Sequence, residues 1–139
     1  MTYVFDLDGT LADSRHRDQF AQSGEWDTFH SLAYIDKPRK DIEKLYRILS
    51  KTGDMTILTG RTEKYRDPTI EWLLRFDFKY PDLNLIMRPD GNFMKSPEWK
   101  LGVISGMKDV KMVFDDRKDI VTKLLENNIP AIQVAEYGS

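Results

Sequence analysis

Short apolar runs alternate with longer amphipathic stretches along most of this chain, and no other feature limits its fold as strongly. Residues 3–7, 55–58, 83–87, 111–114 and 131–134 are β-rich runs of strand length. Between them, 41–50 carries Ile42, Leu45, Ile48 and Leu49 at helical spacing. Asp67-Pro68 predicts a helix start with Asp67 as N-cap and Ile70, Leu73 and Leu74 as the buried stripe. Ser96-Pro97 opens another helix in the same way, running to about Gly106, and 117–127 forms a last one. Strands alternating with helices need crossover connections, hence a mainly parallel sheet. The expected fold is α/β: a three-layer Rossmann-like sandwich with a five-stranded sheet, as one domain over residues 1–139. Residues 13–37 break the rhythm. They carry His16, Phe20, Trp26, Phe29 and Tyr34, and are expected to form an irregular insert with short helices over the active edge, a minimal cap at most.

In parallel α/β sheets ligands bind beyond the carboxyl ends of the strands. The first run is followed by Asp6-Leu7-Asp8-Gly9-Thr10, the second by Thr59-Gly60-Arg61 and the fourth by Asp115-Asp116-Arg117. Asp6 and Asp8, two residues apart, share a strand face, and like charges held together repel. A divalent cation would offset that cost. With no cysteine and only His16 and His30, far apart, oxygen ligands and magnesium fit better than zinc. The milder alternatives are that Asp115 and Asp116 cap the next helix and that Thr59 caps the following segment. The missing cysteine also excludes disulfides and cysteine nucleophiles. A net charge of −2 argues against a surface that coats nucleic acid non-specifically. No charged leader or long apolar run opens the sequence, so a cytoplasmic protein without membrane contact is expected.

These residues resemble the haloacid dehalogenase-like phosphatase superfamily. Residues 6–11 are similar to its first motif, Thr59 to the second, Lys100 to the third and Asp115-Asp116 to the fourth, in the same order. The resemblance implies a magnesium-dependent phosphatase in which Asp6 attacks phosphorus to form an aspartyl-phosphate. Asp8 would be the general acid and base. Asp6, the backbone carbonyl of Asp8, and Asp115 would hold magnesium, with Asp116 in support. Thr59 and the backbone N–H of Gly60 would bond phosphate oxygens, Lys100 would offset charge, and Thr10, counted with the substrate-binding residues, would with Gly9 shape the turn that releases Asp8 from the strand. Lys95 is the alternative lysine; Lys100 is preferred because it falls early in a helix.

Within the superfamily the chain resembles the 3′-phosphatase domain of phage polynucleotide kinase, through residues 5–12, Leu58-Thr59-Gly60-Arg61, Phe114-Asp115-Asp116-Arg117 and Ile132-Gln133-Val134-Ala135. That likeness implies that Arg17 and Arg61 bind the substrate phosphate, with Arg15 a competitor for the first role. Two departures matter. There is no Gly-x-x-x-x-Gly-Lys-Ser/Thr loop, so ATP-dependent 5′ phosphorylation is not expected. Ser96 stands where the family has an acid. Basic residues after the strands, including Lys64, Arg66, Arg88 and Lys118, suit a phosphate ester or a short nucleic acid, and Trp26 and Phe29 are candidates for stacking on a base. The expected reaction is removal of 3′-phosphate from polynucleotide ends. The alternatives are a nucleotidase acting on mononucleotides and a non-catalytic phosphate-binding module.

Overall fold

Thr2-Tyr3-Val4-Phe5 forms the first strand, β1 (Thr2–Phe5), and becomes the centre of the sheet because apolar side chains leave both its faces. The structure, a computed structural model, describes residues 1–78 and 83–136. After β1 come β2 (Ala12–Asp13), α1 (Asp18–Gln22), α2 (Trp26–Ser31), β3 (Lys37–Pro38), α3 (Lys40–Leu49) and β4 (Asp54–Thr62). They are followed by α4 (Arg66–Arg75), β5 (Leu83–Arg88), α5 (Ser96–Ser105), β6 (Val110–Asp115), α6 (Lys118–Glu126) and β7 (Ala131–Gln133).

Five of these strands form a fully parallel sheet in the order β5-β4-β1-β6-β7. Successive β1 side chains leave opposite faces. Tyr3 and Phe5 join Ile42 and Tyr46 of α3 and Trp72 and Leu73 of α4 in one core cluster. Val4 joins Trp99 and Ile104 of α5 and Ile120 and Leu124 of α6 in the other. The result is the expected three-layer α/β sandwich. Phe5 lies opposite both Ile57 and Phe114, so the carboxyl ends of β4, β1 and β6 finish side by side on one edge.

Several local expectations are corrected. Residues 13–37 carry short helices, α1, α2 and 3-10 turns, as expected, but β2 and β3 also pair antiparallel at the base, which the sequence did not suggest. The second strand does not stop at 58 but continues to Thr62. Helix α4 begins at Arg66 with Tyr65 as its cap, so Asp67 is a first-turn residue and not the N-cap. Its buried residues are Thr69, Trp72 and Leu73, whereas Leu74 is 53% exposed. The Trp72 indole N–H donates to the Asp36 carbonyl at 2.9 Å, which fixes that face inward. Likewise Ser96 is the first residue of α5 and Lys95 its cap. Among the described residues, no helix is long and apolar enough to cross a membrane.

Candidate active site

Asp6 follows β1 directly, and its N–H donates to the Phe114 carbonyl at 3.0 Å. That one backbone bond brings it beside Asp115, the last residue of β6. Its carboxylate is gripped on both oxygens: Lys100 Nζ donates to Oδ1 at 2.8 Å and Thr10 Oγ1 to Oδ2 at 3.1 Å. The same ammonium donates to Asp115 Oδ2 at 2.7 Å. Asp115 in turn accepts the Arg117 backbone N–H at 3.0 Å, a turn that opens α6. Lys100, two helical steps inside α5 from Glu98, reaches this point because α5 packs against the β6 side of the sheet.

The charges here do not balance. One carboxylate oxygen each from Asp6, Asp115 and Asp116 lies within 4.8 Å of the others, and Lys100 is the ammonium among them. Burial, with Asp116 nearby and only Lys100 opposing, pushes the Asp6 carboxyl up to about 7. Burial and the Asp6 charge push Asp115 up to about 6, and burial raises Asp116 as well. Burial would lower the Lys100 ammonium, but Asp6 and Asp115 outweigh it and raise its pKa. Three converging hard oxygen donors with excess negative charge fit a divalent cation such as magnesium. Gly9 belongs to this cluster. Its φ is +82°, which disfavours a side chain, and a Cβ there would stand 2.3 Å from Asp116 Oδ2 and force that carboxylate to move.

Asp8 departs from the expected arrangement. Its carboxylate is outside the three-acid cluster and has partners that Asp6–Asp8 repulsion alone does not suggest. These are two guanidiniums. Arg17 Nη2 donates to Asp8 Oδ1, and Arg61 donates through Nη2 at 2.7 Å and Nε at 3.1 and 3.2 Å. Burial alone would raise Asp8, but Arg61 and Arg17 hold its carboxyl well below the usual range. With its carboxylate taken up by the two guanidiniums, the backbone carbonyl is the Asp8 atom left facing away from an ion pair.

Arg17 and Arg61 arrive from different directions. Arg17 lies in the 3-10 turn after β2, fully buried over the Phe29 ring, 4.2 Å from its centroid. Phe29 is thus covered and unavailable to a base, while Trp26 is 56% exposed. Arg61 is aimed by an irregularity in β4. Thr59 pairs with Met87, but the next pair is Thr62 with Arg88, so Gly60 and Arg61 bulge from the ladder. Thr59 is buried, its Oγ1 accepts the Arg61 N–H at 3.1 Å, and Gly60 is exposed beside it. Of the alternatives, Arg15 pairs with Asp13 on the surface, and Lys95 caps α5.

Two supporting residues escaped the sequence reading. Asp36 is fully buried and accepts Arg17 Nε at 2.9 Å, Arg17 Nη2 at 2.6 Å and a 2.6 Å contact from His16 Nε2. Buried Arg39 donates to the carbonyls of Gly9 at 3.1 Å and Ala135 at 2.6 Å, bracing the loop after β1. Two buried arginines with one sequence-identified acid was the available signal for a second acid such as Asp36; nothing in the pattern pointed to Arg39.

A parallel sheet whose central strand delivers an aspartate to a lysine and to two further acids defines a haloacid dehalogenase-like hydrolase fold. A hydrolase from Streptococcus pneumoniae TIGR4 shares that fold, with a TM-score of 0.61 over 98% of this chain and 93% of its own at 12% identity. The chain belongs to the polynucleotide kinase PNKP phosphatase domain family, whose profile matches residues 1–138. It is also similar to a chain of the Pnkp1/Rnl/Hen1 RNA repair complex, at 26% identity and a TM-score of 0.78, covering 99% of this chain and 43% of that one. A chain from another structure of the Pnkp1/Rnl/Hen1 complex gives 26% identity and 0.77, covering 97% and 46%. This chain therefore spans less than half the length of those two relatives. No curated protein matches it.

Proposed function

We propose that residues 1–139 form a magnesium-dependent phosphatase unit that removes 3′-phosphate from polynucleotide ends through an aspartyl-phosphate on Asp6. The observation that carries this reading is the setting of Asp6: a strand-end carboxylate held by Lys100 and Thr10 beside two further acids, with Asp8 and two arginines across the turn. Family membership and the small size of the 13–37 insert favour a polymer end over an enclosed metabolite.

In the proposed reaction, an Asp6 oxygen bonds to phosphorus as the bond from phosphorus to the sugar oxygen breaks. Asp8 gives that leaving oxygen a proton. Water then attacks the aspartyl-phosphate, Asp8 takes its proton, and the Asp6 carboxylate and inorganic phosphate are released. Arg17 and Arg61, with the Thr59 hydroxyl and the Gly60 N–H, bind the phosphoryl oxygens. As phosphate draws these guanidiniums away, Asp8 is freed to carry the proton that the first half-reaction needs. Lys100 steadies the charge on Asp6 and on the transferred group. Asp6, Asp115, Asp116 and the Asp8 carbonyl would hold magnesium, which when bound neutralises phosphate charge and aligns it for attack.

The test is turnover of a 3′-phosphorylated oligonucleotide and of nucleoside monophosphates, with magnesium and with chelator, together with trapping of labelled phosphoenzyme. Wild type should require magnesium, prefer the oligonucleotide and carry label that Asp6→Asn lacks. Equal or better turnover of monophosphates would make the chain a nucleotidase. Absence of turnover on every ester would leave a phosphate-binding module.

A further inference from the structure

On the β5 side of the same edge lie groups that the proposed reaction does not use. Arg88 ends β5. Unlike Arg17 and Arg61, it has no carboxylate partner among the described residues. Its guanidinium stands 5.0 Å from the Trp99 ring centroid, and Nη2 makes only a long 3.5 Å approach to Ser96 Oγ. Its Nε is buried and has no acceptor among the described residues. Burial and the nearby charge of Arg117 hold its pKa below the ordinary value. A half-buried guanidinium with an unmet donor and a like charge nearby is a costly arrangement, and an anion relieves it.

The turn that follows Arg88 is fixed and carries an exposed ring. Asn92 N–H donates to the Pro89 carbonyl at 3.1 Å, and Met94 N–H to Asn92 Oδ1 at 3.0 Å. Asp90 accepts the Lys64 backbone N–H at 3.2 Å, which ties the turn to the segment after β4. Held this way, Phe93 is 94% exposed, beside half-exposed Met94. One exposed ring alone is ordinary. Here the ring stands on the turn that leaves β5 directly after a guanidinium with no carboxylate partner among the described residues, at the carboxyl edge of the sheet where the acid cluster also lies. The distance also fits: β5 lies two strands from β1, about 10 Å away. That separation suits the neighbouring unit of a polymer better than a second ligand to the reacting phosphorus.

We infer that Arg88 and Phe93 form a second nucleotide subsite, in which Arg88 takes the phosphodiester adjoining the terminal nucleotide and Phe93 stacks on the base next to it. The ligand is single-stranded polynucleotide of any sequence, since every base offers a face to stack. This inference rests on the polynucleotide-end reading proposed above.

The experiment compares kcat/KM for a 3′-phosphorylated oligonucleotide with that for a nucleoside 3′-phosphate, which has no internal phosphodiester. Wild type should favour the oligonucleotide. Phe93→Ala should raise KM for the oligonucleotide about tenfold without lowering kcat, leave the nucleoside 3′-phosphate reaction unchanged and melt at the wild-type temperature. Arg88→Gln should weaken oligonucleotide binding and make its logarithmic salt dependence shallower by about 0.7. If wild type favours the oligonucleotide but Phe93→Ala behaves identically, or loses both substrates equally, the subsite is refuted while the phosphatase reading stands. If wild type turns over neither substrate, the underlying functional reading fails instead.

Discussion

Asp36→Ala should destabilise this protein far more than a lone acid in an insert would normally do. The Asp36 carboxylate accepts two bonds from Arg17, at 2.9 and 2.6 Å, and neither side chain has exposed surface. Together with Asp8 and Arg61 they form a set of two acids and two guanidiniums, with His16 as a further partner of Asp36. With Asp36 gone, Arg17 keeps only Asp8 and the Phe29 carbonyl, 3.2 Å away, and two cations share one carboxylate. Stranding one member of a buried pair costs about 3–5 kcal/mol. Unfolding entropy of about 2.1 cal/mol/K per residue, taken over 139 residues, is roughly 0.3 kcal/mol/K, so Tm should fall by about 10–17 °C. Urea titration followed by tryptophan fluorescence measures the loss, and an unchanged slope would indicate that the same surface unfolds. Replacing both partners, Asp36→Leu with Arg17→Met, should recover part of it, because fewer unpaired charges stay buried. A single Asp36→Ala variant within about 1 kcal/mol of wild type would refute the idea that this ionic set secures the insert.

Other expectations concern the acid cluster. Gly9→Ala should lose roughly 1–3 kcal/mol from its φ of +82° alone, with more from the clash at Asp116; calorimetry reads the drop, and an unchanged Tm would contradict the packing described. Lys100→Met removes the ammonium that bonds Asp6 and Asp115, so kcat should fall about 100-fold or more, and magnesium should raise Tm more than in wild type. In chelator, the Asp6 carboxyl has a pKa of about 7 folded against 3.8 unfolded. The folded state then binds the extra proton between those values, so Asp6's contribution to stability is full below pH 3.8 and is lost as pH rises towards 7. The slope for that one proton is at most about 1.4 kcal/mol per pH unit. Asp6→Asn should therefore flatten the decline in stability between about pH 4 and 7, while also abolishing turnover; a variant with the wild-type pH slope there would show that Asp6 is not the titrating group.

The sheet was legible because each of its strands is an apolar run of strand length, and the two faces of β1 follow from simple alternation at Tyr3, Val4 and Phe5. The site's skeleton was legible because polar residues at strand ends stand out against such runs. What the sequence hid depends on tertiary contacts. Asp36 and Arg39 look like ordinary surface charges, and only the folded insert buries them. The balance at Asp8 was misjudged for the same reason: Arg17 and Arg61 are 44 residues apart in sequence and meet at one carboxylate only after β4 bulges. The start of α4 was off by two residues, because Pro68 is tolerated throughout the first turn of a helix and so does not mark its first residue.

The bulge in β4 separates two tasks that a regular strand would couple. Hydrogen bonding between β4 and β5 lapses after Thr59 and resumes at Thr62, so the intervening dipeptide is free of the ladder. Gly60 stands exposed, whereas Arg61 turns inward onto Asp8 and Thr69, so one residue leaves the regular alternation of the strand to serve the site. The interior keeps its pattern up to Thr59, and the edge gains a guanidinium aimed across it.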